Sequence, residues 1–235
     1  MRHNTITHQS SKRFLLIGVR SLKKYRLAAF DLDGVLTDFI SSWVWVHKHF
    51  QVDNETGYEL FMDHKIGDEE FMRMDIALWR RQRPGLTREE VRHILNNVPL
   101  MPGVRESFQA LREKGIITAI ISGGIDLLAE RVGQELGADH ILANGLEADE
   151  EGRLTGEGIS VVPLRQKDLV LARLQQELGI TRSETVAIGD TGIDIPLFRQ
   201  SGLGIAFNSE KSEVLEAADV VVTRKDLRDI LPHIL

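Results

Sequence analysis

Short apolar runs alternate along this chain with longer stretches of helical spacing. Leu27–Phe30, Ile117–Ile121, Thr185–Ile188 and Leu203–Ala206 each end in a turn or polar residue, and Val220–Val222 could add a fifth strand. Between them, apolar residues recur at helical intervals over Val104–Lys114, Leu127–Leu136, Lys167–Leu178, Pro196–Gln200 and Asp226–Ile234. Gly115, Gly137 and Gly179 stand where helices stop. Such alternation predicts an α/β fold built on a doubly wound parallel sheet.

Two stretches break the rhythm. From Asp38 to Leu100 the period is helical with no strand, and Met101-Pro102-Gly103 marks the return to alternation. The expected layout is a basic extension over 1–25, a core domain of 26–38 and 101–235, and a small helical cap inserted over 39–100. From Leu146 to Val162, acidic and glycine residues lie between β-branched positions, which predicts a hairpin or flap at the sheet edge.

Composition narrows the class. The chain has 235 residues, 42% of them hydrophobic, enough for one buried α/β core with a smaller insertion. There is no cysteine, so disulfides, thiolate zinc sites and cysteine nucleophiles are excluded and a cytoplasmic location is expected. Phe14–Val19 is too short to span a membrane, so none is expected. Residues 1–26 hold seven Lys or Arg and no acid, so the net charge of -6 is split between a basic arm and an acidic body. Such an arm suits an anionic partner or is a disordered leader. With no zinc-finger spacing, RNP-like motif or basic recognition helix, nucleic acid is not expected as a partner. The chain is expected to be a monomer or homodimer.

Candidate chemistry sits at the strand ends, where open parallel sheets bind ligands. The first strand runs out into Asp31-Leu32-Asp33-Gly34, the third into Gly189-Asp190 with Asp194 four residues on. Three or four carboxylates at one sheet edge repel unless a hard cation such as Mg²⁺ joins them. Taken singly, the first pair also describes a turn, and Asp190 and Asp194 a helix cap. The second strand leads into Ser122-Gly123-Gly124 before a helix, a hydroxyl and free N–H groups suited to phosphate, or an ordinary capping serine. Lys167 opens a later helix.

In this order, Asp31-Leu32-Asp33-Gly34, Ser122, Lys167 and Gly189-Asp190 with Asp194 resemble the four motifs of the haloacid dehalogenase superfamily over residues 26 to 235. Ile120–Gly124 and the tail from Gly204 to Leu231 look most like its phosphoserine phosphatase branch. The resemblance implies an Mg²⁺-dependent phosphatase acting on a small phosphorylated metabolite through an aspartyl-phosphate. It makes Asp31 the nucleophile and Asp33 the general acid–base. Mg²⁺ would be held by the Asp31 and Asp190 carboxylates and the Asp33 carbonyl, with Asp194 a further ligand or an orienter. Ser122, the Gly123 N–H and Lys167 would take the phosphoryl oxygens.

The departures fall on specificity groups. Ile40 stands where that branch carries Glu, Phe71–Trp79 offers Arg73 and Asp75 but no match to its cap Arg, and Ile193 replaces an Asn. Trp43, Trp45, Phe50 and Trp79 are expected in the packing of the insert, with one or two able to line a pocket. Arg80 and Arg81 could hold an anionic tail, and His47 and His49 make a poor metal pair. The competing readings are a receiver-type phosphoacceptor module, disfavoured by the insert and Asp33, and a metal-free dehalogenase of the same fold.

Overall fold

The computed structural model describes residues 24–235, so nearly all of the basic arm lies outside the described residues. In chain order the elements are β1 (Leu27–Phe30), α1 (Ser42–Phe50), α2 (Glu55–Met62), α3 (Asp68–Gln82), α4 (Arg88–Leu95), α5 (Val104–Glu113), β2 (Ile117–Ile125), α6 (Asp126–Leu136), β3 (His140–Ala148) and β4 (Leu154–Ile159). They continue as α7 (Lys167–Leu178), β5 (Thr185–Gly189), α8 (Ile195–Arg199), β6 (Leu203–Phe207), α9 (Ser212–Ala217), β7 (Val220–Val222) and α10 (Leu231–Ile234).

The strands form one sheet in the order β4-β3-β2-β1-β5-β6-β7, parallel except for the β3–β4 pair. Strand β1 is central, and the chain turns to opposite sides of it through β2 and β5, which leaves a crevice at the carboxyl ends of these three strands. Phe30 pairs with Ile120 and with Ile188, so Asp31, Ser122 and Asp190 come at nearly one level of the sheet.

Both faces of the sheet are buried, which is why its strands read as apolar runs rather than alternating ones. Ala28, Phe30, Ile120 and Ile188 point into one core with Phe108 and Leu111 of α5. Leu27, Ala29, Ala119, Ile121 and Ala187 point into the other, with Leu171 and Leu174 of α7. Helix α5 buries Val104, Ser107, Phe108 and Leu111, the i, i+3, i+4, i+7 stripe of a surface helix.

Four helices, α1 to α4, fill the long insert. Thr87 and Glu90 form a capping box at the start of α4. The two chain crossings run side by side, with Asp38 N–H donating to the Pro99 carbonyl at 2.9 Å and Met101 N–H to Leu36 at 2.9 Å. Val46, Ile76, Trp79, Val91 and Leu95 continue the apolar core of the sheet into the insert. No helix of the described residues is long and apolar enough to cross a membrane.

The edge hairpin exists, but its first strand begins at His140 rather than near Leu146 and is a full parallel member of the sheet. Strand β2 continues through Ser122-Gly123-Gly124 instead of turning there, with its register against β3 shifting between Ser122 and Ile125. The expected helix over Asp226–Ile234 is a 3-10 turn at Leu227–Ile230 followed by α10, broken where Pro232 lacks an N–H.

Phe108 is 1% exposed, and its ring lies 5.0 Å from that of Phe30. Phe108→Ala is expected to cost about 3–5 kcal/mol, read as a lower midpoint in urea unfolding.

Candidate active site

Lys167 begins the buried stripe of α7, in step with Leu171, Leu174 and Gln175, so its helix aims it inward as it would an apolar residue. The side chain is fully buried. Its ammonium donates to Asp31 Oδ1 at 2.9 Å and to Asp194 Oδ1 at 2.7 Å. Burial opposes the charge on Lys167, but Asp194 and then Asp31 outweigh it and hold its pKa above the ordinary value.

Asp194 has both oxygens engaged. Its Oδ2 accepts from the backbone N–H groups of Asp190 at 3.1 Å and Thr191 at 3.0 Å and from the Thr191 hydroxyl at 3.2 Å. It therefore closes the turn over Gly192–Asp194, as a capping acid does, and anchors Lys167 as well. Ile193 lies within that turn without altering these bonds.

Oxygens of Asp31, Asp190 and Asp194 lie within 4.8 Å of one another. Gly34 makes room for this: it adopts φ +79°, and a Cβ there would collide with the Asp190 carboxylate. Asp33 faces Ser122 across Gly124, where a Cβ would stand 2.5 Å from Asp33 Oδ2 and 3.2 Å from Ser122 Oγ. Ser122 Oγ accepts from Gly124 N–H at 3.1 Å, which leaves the hydroxyl proton free to donate.

Three further groups reach the site, of which the sequence singled out only Trp43, as a packing or pocket aromatic. Ser42 donates its hydroxyl to Asp33 Oδ2 at 2.8 Å while accepting from Ile125 N–H at 2.9 Å, yet reads as an ordinary serine at a helix start. Trp43 donates to the Gly123 carbonyl at 3.0 Å. Buried Asn144 donates to the same carbonyl at 3.3 Å and accepts from Val161 and Val162 N–H at 2.9 and 2.8 Å, pinning the flap to the second strand.

Other candidates lie elsewhere. Arg73 pairs with Glu157 and Arg80 donates to the Thr155 carbonyl at 2.6 Å, so both tie α3 to the flap, while Arg81 is exposed. His47 Nε2 bonds Asp75 Oδ1 at 3.0 Å inside the insert, and neither it nor His49 joins the acidic group.

Burial raises Asp31, helped by Asp194 and opposed by Lys167. It also lifts Asp33 to about 7 against the hydrogen bonds of Ser42. Asp190 rises to about 8, through burial and then the charges of Asp194 and Asp31. Four carboxylates face one ammonium, so ionising all four leaves three negative charges uncompensated. Asp33 Oδ1 and Asp190 Oδ1 are buried without a hydrogen-bond partner. An all-oxygen donor set with two orphaned carboxylate oxygens and that residual charge fits a hard divalent cation.

A family model for haloacid dehalogenase-like hydrolases matches residues 28–199. The chain belongs to this family. It is 31% identical over 219 residues to the phosphoserine phosphatase of Methanocaldococcus jannaschii, an alignment covering 90% of this chain and 99% of the relative. Among solved structures, a phospho-aspartyl intermediate analogue of phosphoserine phosphatase superposes with a TM-score of 0.77 at 30% identity, covering 91% of this chain and 100% of that one. A substrate-bound phosphoserine phosphatase gives a TM-score of 0.77 at 29% identity, with the same coverage. Phosphatases of the haloacid dehalogenase-like family typically use a metal ion, and the acidic cluster at these strand ends is where this member would hold one.

Because Asp33 and Asp190 rise from 3.8 to about 7 and about 8, the cation-free folded state binds more protons than the unfolded chain between those limits. Its stability should therefore fall as pH rises through that window. Bound cations replace these protons. In thermal melts, MgCl₂ is expected to raise Tm more at about pH 8 than at about pH 5, and EDTA to abolish the difference. An equal rise at both pH values would contradict the charge balance.

Proposed function

We propose that this haloacid dehalogenase-like protein is a magnesium-dependent phosphomonoester hydrolase that forms a covalent aspartyl-phosphate on Asp31. The observation that carries the reading is the buried Lys167 joined to Asp31 and Asp194, at the strand ends where Asp33, Ser122 and Asp190 also gather. Residues 39–100 act as a cap over a core of 26–38 and 101–235.

Lys167 fixes Asp31 Oδ1 and so orients the carboxylate for attack on phosphorus. The Asp31–phosphorus bond forms as the ester P–O bond breaks, and Asp33 gives its proton to the leaving alkoxide. Burial lifts Asp33 to about 7, so protonated and ionised forms are both populated near neutral pH, and the Ser42 bond to Oδ2 holds the carboxyl in place. In the second half, Asp33 takes a proton from water, the water oxygen attacks phosphorus and the Asp31–phosphorus bond breaks. Inorganic phosphate leaves and Asp33 is protonated again.

Ser122 donates to a phosphoryl oxygen, beside the Gly123 N–H and the Lys167 ammonium, where charge builds in the transition state. A magnesium ion, held by the Asp31 and Asp190 carboxylates and the Asp33 carbonyl, would neutralise phosphoryl charge. Asp194 serves as an orienter, since both of its oxygens are taken.

The substrate is a small phosphorylated metabolite. The relatives' own substrate, phosphoserine, belongs first in any test. In this chain, however, Ile40 follows the first motif, Arg73 is paired with Glu157, and Asp75 is buried against His47 and Asn54. None of these three supplies a free charge to grip an amino acid.

Release of phosphate from a panel of phosphomonoesters, phosphoserine included, tests the reading: activity with MgCl₂ and its loss in EDTA are expected, and silence on every member rejects it. Asp31→Asn should abolish turnover. Asp33→Asn should slow alkyl phosphates about 10²–10⁴-fold, while phosphoryl transfer from nitrophenyl phosphate, whose leaving group needs no proton, slows far less. Equal losses on both esters in this first, phosphoryl-transfer step, read as the burst of leaving group, would remove Asp33 from the acid role.

A further inference from the structure

One network of the insert reaches the site through a side chain to which the reaction gives no part. Asp75 Oδ1 accepts from Asn54 Nδ2 at 2.7 Å and bonds His47 Nε2 at 3.0 Å. His47 Nδ1 accepts from Trp79 Nε1 at 2.6 Å. An indole nitrogen can only donate, so the roles around this imidazole are fixed. The Trp79 ring stacks on Trp43, with centroids 5.4 Å apart and planes at 24°. Trp43 Nε1 then donates to the carbonyl of Gly123, beyond the insert, at 3.0 Å.

Gly123-Gly124 has the freest backbone in the site, and the pairing of β2 with β3 slips between Ser122 and Ile125, so the ladder does not hold this segment in place. The Gly123 carbonyl and the Gly124 N–H belong to one trans peptide and point to opposite sides. Gripping the carbonyl therefore aims the N–H, which donates to Ser122 Oγ at 3.1 Å. Asn144 adds a longer bond to the same carbonyl, 3.3 Å, from the other strand.

We propose that Trp43 is a positioning residue for phosphoryl binding: its indole N–H sets the Gly123–Gly124 peptide and, through it, the hydroxyl of Ser122. The proposal rests on the reading of Ser122 as a phosphoryl contact. It makes the insert part of the phosphate site.

Trp43→Phe keeps a ring for the Trp79 stack and removes the donor. Trp45→Phe is the matched control, since Trp45 donates to the Ile94 carbonyl at 3.0 Å within the insert. With Trp43→Phe, kcat is expected to fall and the inhibition constant for inorganic phosphate to rise, each roughly three- to tenfold, the range of one lost hydrogen bond. Trp45→Phe should leave both unchanged. Wild-type values in Trp43→Phe, or equal changes in the control, overturn the proposal.

In the wild-type protein, titration with inorganic phosphate should move the Trp43 indole N–H resonance and leave that of Trp45 in place; a still Trp43 signal overturns the proposal independently of the variants. A wild-type protein inactive on every ester rejects the phosphatase reading, and the titration then still decides the role of Trp43.

Discussion

A fully buried ammonium between two carboxylates is the constraint around which this site is arranged. Lys167 has no contact with solvent, and neither does Asp194. Removing three ionic groups from water costs several kcal/mol per ion, which their attraction offsets only with close geometry. The arrangement is thus a poor way to gain stability and a good way to fix positions. Lys167 holds Asp31 through Oδ1, Asp194 holds Lys167, and the other oxygen of Asp194 holds the backbone that presents Asp190. Three chain segments, one at each of two strand ends and one at a helix start, are locked together by one cation.

The same scarcity of water gives the acids different roles. Burial dominates the shifts of Asp31, Asp33 and Asp190, so each resists charge unless something nearby supplies the opposite sign. Asp31 has Lys167. Asp33 is held by Ser42, feels Lys167 only weakly, and is lifted to about 7, where it can both give and take a proton near neutral pH. Asp190 has an orphaned oxygen and only the unbonded charge of Lys167 to offset its neighbours, and so is the carboxylate that a divalent ion would most help to ionise.

The sequence made the strand-end groups legible because a parallel sheet puts the carboxyl ends of β1, β2 and β5 side by side whatever lies between them. Asp31, Asp33, Ser122, Asp190 and Asp194 follow short apolar runs, and that placement is visible in one dimension. Lys167 was visible only as the third of the four motifs, although its step with Leu171 and Leu174 is a signal of burial. Strand β3 escaped because His140, Asn144 and Gly145 interrupt its apolar pattern, the last two for a tertiary reason. Asn144, for instance, spends its amide on the flap and on Gly123. Ser42 could not be read at all, and Trp43 only as a packing or pocket aromatic of the insert, since their partners lie up to 83 residues away.

The central claim is that Asp31 is the atom-to-phosphorus partner, with the other groups grouped around the same phosphoryl. A crystal structure grown with MgCl₂ and beryllofluoride measures this most directly. The account predicts a trifluoroberyllate bonded to an Asp31 oxygen, contacted by Ser122 Oγ and Lys167 Nζ, with one cation between Asp31 and Asp190. Beryllofluoride on any other residue, or a cation bound away from Asp190, would contradict it.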